Sequence, residues 1–280
     1  MSDEPWKDWV GRQEIAYDRI GEAPARALAA TLNRSVDLAV DPGAALPAVF
    51  NWLYFLKFAP MSEVGPDGHP KRGGFLPPVE LPRRMWAGSR CRFGAPIRVG
   101  DEAEKISTIR KIEHKSGKAG EMVFVTVHHE IRVGGQTAIE EEQDIVYMGI
   151  PETFRLPAPI PLPPCDWREI VAVDPVLLFR FSAVTFNGHR IHYDRSYAME
   201  VEKYPGLVVH GPLQAVLLFD AACRREPNRT PAGFDFRGVR PLFDFDTATV
   251  NGRSRDDGAT EIYTATGDGA VCMQATMQWA

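Results

Sequence analysis

The chain has 280 residues, which allows one large domain or two medium ones with a substantial core. It is 44% hydrophobic and 25% charged, as is usual for globular proteins, and its net charge of -5 argues against broad electrostatic binding to nucleic acid or membranes. No apolar run approaches the roughly 20 residues that cross a bilayer, and we expect no signal peptide. The four cysteines lie far apart without a CxxC pair, so we expect reduced thiols in a cytoplasm.

The first half of the chain, residues 1–150, contains two predicted helices, a glycine- and proline-rich loop at 61–82 and four predicted strands. The helices are predicted at 22–33 and 46–58, and the strands at 89–99, 102–113, 122–133 and 137–148. The strand at 122–133 is rich in β-branched residues, which strands favour.

A proline-rich segment at 151–164 reads as an extended linker, because proline removes backbone donors and favours extended conformations. In the second half, residues 165–280, a helix at 212–225 is apolar on most sides, which indicates burial. The strands of this half are predicted at 176–185, 235–245, 259–266 and 270–279. A helix followed by antiparallel strands thus occurs twice, which predicts an α+β protein with a sheet wrapped around a central helix.

The feature that carries most information about function is a cluster of histidines just before the buried helix. Three of the seven histidines of the chain lie there, at His189, His192 and His210. Groups that hold or move protons are therefore gathered where a short loop enters a helix.

The segment SAVTFNGHRIHYD at 182–194, with His-Gly-Pro at 210–212, resembles the motif of MaoC-type (R)-specific enoyl-CoA hydratases. More narrowly, the chain is similar to the two-part hydratases and dehydratases that include mesaconyl-C4-CoA and itaconyl-CoA hydratases. The phrases that carry this narrower resemblance are NWLYF, GPDGHP, GFLPP and PRRMWAG, at 51–55, 65–70, 74–78 and 82–88. The resemblance implies a double hot-dog fold. Residues 1–150 would form a degenerate half that supports the substrate, and residues 165–280 the half with the catalytic loop.

Hydration of a 2-enoyl thioester needs a base for water and a donor for the charge that develops on the thioester oxygen. Histidine suits the first task, and His192 stands at the position of the motif's catalytic histidine. A backbone N–H at a helix start suits the second, and Gly211 matches the family's oxyanion glycine. We therefore expect His192 to be the base and Gly211 the donor.

The chain departs from the common motif at Asn187, where the pattern has an aspartate. An asparagine cannot take a proton from water as a carboxylate does, although it can orient water by hydrogen bonding. Three alternatives stay open. Asn187 only positions water, His189 shares the acid–base role, or Asp194 orients or polarises His192.

Other residues have weaker assignments. His210 is expected to orient the loop, and Tyr193 to form a pocket wall or part of the core. Arg72, Arg83 and Arg84 are candidates for binding CoA phosphates or a substrate carboxylate, the alternative being a solvated surface loop. His189 and His192 lack a clear third ligand, so neither a metal nor another cofactor is expected.

The sequence thus predicts a hydratase that acts on a CoA thioester, with short branched dicarboxylic enoyl-CoAs favoured by the resemblance. A hot-dog thioesterase, or a non-catalytic protein that binds acyl thioesters, is the alternative. No nucleic acid or membrane partner is expected, and the chain is expected to be a monomer or a homodimer.

Overall fold

The computed structural model describes residues 6–35, 41–117 and 120–280, and its main feature is one antiparallel sheet of ten strands. The strands of the first half are β1 (Gln13–Arg19), β2 (Arg83–Phe93), β3 (Glu102–Gly117), β4 (Gly120–Val133) and β5 (Gln136–Met148). Those of the second half are β6 (Trp167–Val171), β7 (Pro231–Gly238), β8 (Ala248–Ser254), β9 (Thr260–Thr266) and β10 (Val271–Trp279). The α-helices of the described residues are α1 (Glu22–Thr31), α2 (Pro175–Val184) and α3 (Gly211–Arg225).

The two halves of the chain are joined through the sheet. The strand order is β1-β3-β4-β5-β2-β7-β10-β9-β8-β6, so each half contributes five adjacent strands and β2 pairs with β7. At this junction Ser89 lies opposite Phe236 and Cys91 opposite Phe234. One cluster of buried apolar side chains extends across both halves, so they share a core as well as a sheet.

Helix α3 is the central helix of the second half, as the sequence predicts. It begins at Gly211 with Pro212 in its first turn. An N–H in this turn has no acceptor within the helix, so proline, which lacks an N–H, costs the helix no hydrogen bond. Leu213, Val216 and Leu218 are at most 1% exposed, and the helix packs against β2 and against β7 to β10. Burial of these side chains against the sheet holds the start of α3 in a fixed position.

The predicted helix at 22–33 is confirmed as α1, whereas the one at 46–58 is wrong in type and length. The chain forms only a short 3-10 helix there, Ala48–Leu53. It ends because Tyr54 is extended and Phe55 has a positive φ of 57°, which no helix can continue. The N–H of Phe55 instead donates to Asp18 Oδ2 at 2.8 Å.

The predicted strand at 176–185 is also wrong, because this segment is α2. Asp174 caps the helix by accepting a hydrogen bond from the N–H of Leu177 at 2.9 Å, and Pro175 occupies the first turn. These capping signals outweigh the strand preference of the valines and phenylalanines that follow.

The remaining strands agree with the predictions to different degrees. The strands predicted at 102–113, 122–133, 137–148, 259–266 and 270–279 are confirmed as β3, β4, β5, β9 and β10. Those predicted at 89–99 and 235–245 are displaced, since β2 ends at Phe93 and β7 at Gly238. Strands β1, β6 and β8 were not predicted.

The proline-rich segment 151–164 lies against the start of β10 and the turn before it. Val271 donates its N–H to the carbonyl of Ile160 at 2.9 Å, and Leu162 donates to Gly269 at 2.8 Å. None of the helices formed by the described residues is long and apolar enough to cross a membrane.

Candidate active site

A long cleft of about 2480 Å³ is lined by residues of both halves. This exceeds the roughly 300–1,000 Å³ of ordinary small-molecule pockets, so the cleft can hold an extended ligand. The first half contributes His69, Arg84 and Trp86, and the second contributes the histidine loop and the start of α3. The cleft therefore contains the residues that the sequence singles out, beside others that it does not.

His192 lies on a short 3-10 turn after α2 and is 7% exposed. Its Nδ1 lies 2.7 Å from the carbonyl oxygen of Val208. A carbonyl oxygen only accepts hydrogen bonds, so Nδ1 carries the hydrogen and Nε2 keeps a free lone pair. Burial lowers the pKa of His192 to about 4, against the opposing effect of the Val208 carbonyl. His192 is therefore neutral near pH 7, with one basic nitrogen.

His210 lies directly behind His192. The two rings stack with centroids 3.6 Å apart and an interplanar angle of 19°. His210 is fully buried, and its Nε2 lies 2.8 Å from the hydroxyl oxygen of Ser182 on α2. Burial holds the pKa of His210 well below its usual value. The ring is thus a neutral, fixed support for His192.

Gly211 is the first residue of α3, and together with Pro212 it lines the cleft. A Cβ atom at Gly211 would lie 3.5 Å from the carbonyl oxygen of Trp86, so the helix start lies within van der Waals contact of β2. The first N–H groups of a helix have no partner within the helix, and they form the positive end of its dipole. Negative charge that develops on a ligand in this part of the cleft is therefore favoured.

Asn187 shapes the histidine loop. Its Oδ1 accepts a hydrogen bond from the N–H of His189 at 3.0 Å, and its own N–H donates to the carbonyl of Ser182 at 2.8 Å. His189 is 6% exposed, and burial together with the neighbouring His69 and His192 lowers its pKa to about 2. Asn187 and His189 both line the cleft.

Asp194 and Tyr193 bond within the loop. Asp194 Oδ2 accepts from Nε and Nη2 of Arg190 at 3.0 and 2.7 Å, and its Oδ1 accepts from the N–H of Tyr197. Tyr193 is 48% exposed and donates its hydroxyl hydrogen to the carbonyl of Gly188 at 3.0 Å. The Asp194 carboxylate thus pairs with a guanidinium instead of orienting an imidazole.

The three candidate arginines have different surroundings. Arg83 is 5% exposed and paired with the buried Glu202, Nε to Oε2, at 2.6 Å. Arg72 donates to two loop carbonyls, at 2.6 Å each. Arg84 lines the cleft and lies close enough to His69 and His189 to lower the pKa of both. All three line the cleft, and Arg84 is the one whose charge acts on these two imidazoles.

The sequence interpretation missed Asp67 and His69, which enter the site from the loop of the first half. Asp67 Oδ2 lies 3.0 Å from His69 Nδ1, and the ring of His69 lies 4.2 Å from that of His189. The atoms of Asp67, His69 and His189 that could bind a metal ion lie within 4.8 Å of one another. Because Asp67 already binds His69, we interpret them as a carboxylate–imidazole pair that faces a third ring. The only signal in the sequence was the phrase GPDGHP.

Solved structures define the class of fold. The chain is similar to a MaoC-like dehydratase from Phytophthora capsici, with a TM-score of 0.73, 13% identity and 96% of each chain covered. It is also similar to a double hot-dog protein from Mycobacterium tuberculosis, with a TM-score of 0.60, 13% identity and 96% of each chain covered. The fold is therefore the double hot-dog fold that the sequence resemblance implies.

The chain belongs to the hydroxyacyl-thioester dehydratase type 2 family, whose family model matches residues 49–244. It is 46% identical over 280 residues to the mesaconyl-C(4)-CoA hydratase of Chloroflexus aurantiacus, with 99% of each chain covered. The protein is thus an acyl-thioester hydro-lyase, of the kind that adds water to an enoyl-CoA or removes it from a hydroxyacyl-CoA.

Proposed function

We propose that the protein hydrates a 2-enoyl-CoA that carries a free carboxylate, such as mesaconyl-C4-CoA, with His192 as the base. The observation that carries this proposal is the free lone pair of a neutral, fixed His192 beside the start of α3. The substrate named for the 46% identical relative supports the acyl group. Itaconyl-CoA, a branched dicarboxylic thioester of the same kind, is the second candidate.

In the proposed mechanism, Nε2 of His192 removes one proton from water while the water oxygen bonds to C3 of the enoyl group. The π electrons of the C2–C3 bond move toward the thioester oxygen, which the N–H of Gly211 stabilises. The proton held by His192 is then returned to C2, and the thioester carbonyl re-forms. The overall result is the addition of one water, with no other reactant.

The free carboxylate of such a substrate needs a cation in the cleft. All three arginines line the cleft, but Arg83 and Arg72 are held by Glu202 and by loop carbonyls, whereas the charge of Arg84 acts on His69 and His189. A guanidinium binds a carboxylate through two parallel hydrogen bonds. We therefore assign binding of the substrate carboxylate to Arg84.

The test is a spectroscopic assay with mesaconyl-C4-CoA, itaconyl-CoA and crotonyl-CoA. Loss of the enoyl absorbance without free thiol is expected, and His192→Ala should abolish it in a protein with an unchanged circular dichroism spectrum. Release of free thiol would instead identify a thioesterase, and no reaction with any substrate would identify a binding protein.

Arg84→Gln separates recognition of the carboxylate from chemistry. It should raise KM about tenfold or more for mesaconyl-C4-CoA and leave crotonyl-CoA, which has no free carboxylate, nearly unaffected. Arg110→Gln, on an exposed position of β3, is the matched control. An equal effect of Arg84→Gln on both substrates would contradict the assignment.

A further inference from the structure

The loop of the first half that carries Asp67 and His69 packs main chain to main chain on the histidine loop. A Cβ atom at Gly68 would lie 1.8 Å from the carbonyl oxygen of Gly188, and one at Gly188 would lie 2.7 Å from that of Gly68. Arg190 donates its N–H to the carbonyl of Asp67 at 2.9 Å, and its Nη1 donates to Pro66 at 3.0 Å. Two glycines and two hydrogen bonds therefore fix the position of His69 relative to His189.

Asp67 and His69 form a strong pair within this loop. Asp67 Oδ1 accepts from the backbone N–H of His69 and Oδ2 from the ring Nδ1, both at 3.0 Å. Burial alone would raise the pKa of Asp67, but the bonds with His69 lower it to about 2. Asp67 is thus anionic near pH 7, and Nε2 of His69 keeps a free lone pair.

The pair completes a row of imidazoles along the cleft. The ring of His69 lies 4.2 Å from that of His189, which lies 5.4 Å from that of His192. Burial lowers the pKa of each of these rings, so they are neutral before reaction. Asp67 is a negative charge that directly contacts one of them, His69, and it holds that ring with the hydrogen on Nδ1 and the lone pair of Nε2 free.

We infer that Asp67 and His69 orient the attacking water in this active centre, in place of the carboxylate that the hydratase motif has where this chain has Asn187. The inference rests on the proposed hydration. The attacking water donates one hydrogen to Nε2 of His192, which takes that proton, and the other to Nε2 of His69, which orients the water. The hydrogen held by His69 stays in the product hydroxyl group. Asp67 is a positioning residue that fixes the ring and the tautomer of His69.

A purely structural role does not account for the pair. The loop is already held by the main-chain contacts of Gly68 and by the hydrogen bonds of Arg190. The Asp67 side chain is 21% exposed, and its hydrogen bonds to His69 add nothing to the contact between the two loops. Its placement on Nδ1 of His69, beside His189, has a reason if Nε2 of His69 must accept a hydrogen bond from the attacking water.

The first experiment replaces His69 with alanine and measures hydration of mesaconyl-C4-CoA. We expect kcat to fall about 100-fold or more with little change in KM, and added imidazole to restore part of the rate. His114→Ala, an exposed histidine on β3, is the matched control and should retain wild-type kcat. Full activity of His69→Ala, while His192→Ala is inactive, would overturn this inference and leave the proposed function intact. A wild-type protein that hydrates no enoyl-CoA would overturn both.

The second experiment uses Asp67→Asn and the pH profile of kcat/KM, which reports the free enzyme's essential groups. The carboxylate fixes the tautomer of His69, so its removal should lower kcat. It also raises the pKa of His69, so its removal should shift the acid limb to lower pH. A residue that only holds the loop would leave the position of this limb unchanged, and that result would refute the role of Asp67. Thermal unfolding of each variant shows whether the fold is retained.

Discussion

Replacement of His192 by asparagine should weaken the pH dependence of the protein's stability. In the folded chain burial lowers the pKa of His192 to about 4, whereas an unfolded histidine titrates near 6.5. The folded state therefore binds fewer protons between these values. The contribution of His192 to stability is fully present above about pH 6.5 and is lost as the pH falls toward 4.

The size of the effect follows from the two pKa values. Their difference corresponds to about 3 kcal/mol at and below pH 4, and to about 2 kcal/mol at pH 5. Asparagine does not titrate, and its Nδ2 can still donate a hydrogen bond to the carbonyl of Val208. The variant should thus lose this part of the pH dependence while it keeps the hydrogen bond that holds the loop.

Urea unfolding at about pH 7.5 and about pH 5 measures both proteins under the same conditions. We expect the free energy of unfolding of the wild type to fall by about 2 kcal/mol more than that of His192→Asn. Other titrating groups contribute to both proteins and cancel in the comparison. An equal decrease in the two proteins would refute the reasoning, because it would mean that His192 titrates normally in the folded state.

Three further predictions concern the loop, the helix cap and metal ions. Gly68→Ala should reduce kcat strongly, because its Cβ atom would collide with the carbonyl oxygen of Gly188. Gly100→Ala, which has a similarly positive φ but no atom within 4 Å of its Cβ position, should retain kcat, and enzyme assays with thermal melts compare the two variants. Asp174→Ala should destabilise the protein by about 1 kcal/mol in urea unfolding, because α2 loses its cap, and an unchanged midpoint would contradict this. Incubation with EDTA followed by desalting should leave hydration unchanged, since the proposed proton transfers use imidazoles alone; loss of activity that zinc restores would refute them.

Long elements with a clear pattern were predictable from the sequence. In strands β3 and β4, apolar and polar residues alternate or β-branched residues are frequent, and the apolar surface of α3 indicated burial. Helix α2 was not predictable from the sequence, because a short apolar run fits a buried strand as well as a buried helix. What decides between them is the cap at Asp174, a single hydrogen bond that apolar periodicity does not contain.

The candidate site could be predicted only where its residues are close in the sequence. The histidine loop and Gly211 form one segment with the helix, so their proximity follows from local structure. His69 lies 120 residues before His189, and their contact arises from the packing of Gly68 on Gly188. No local rule expresses such a contact.

The arginines illustrate the same limit. Neighbouring residues of a strand point to opposite faces of the sheet, so Arg83 and Arg84 cannot have the same role. Composition alone could not tell which of the two is already paired. Both line the cleft, but Arg83 is bound to the buried Glu202, whereas the charge of Arg84 acts on the imidazoles of His69 and His189.

The main-chain contact between Gly68 and Gly188 also has a consequence for protein engineering. Main-chain atoms are the same in every residue, so this contact does not depend on the side chains at positions 67 and 69. The loop therefore keeps its position when the side chain at position 69 is replaced. A carboxylate, phenol or amine introduced at position 69 would approach the same part of a bound substrate. New reactions can thus be sought at one residue, while the rest of the framework is kept.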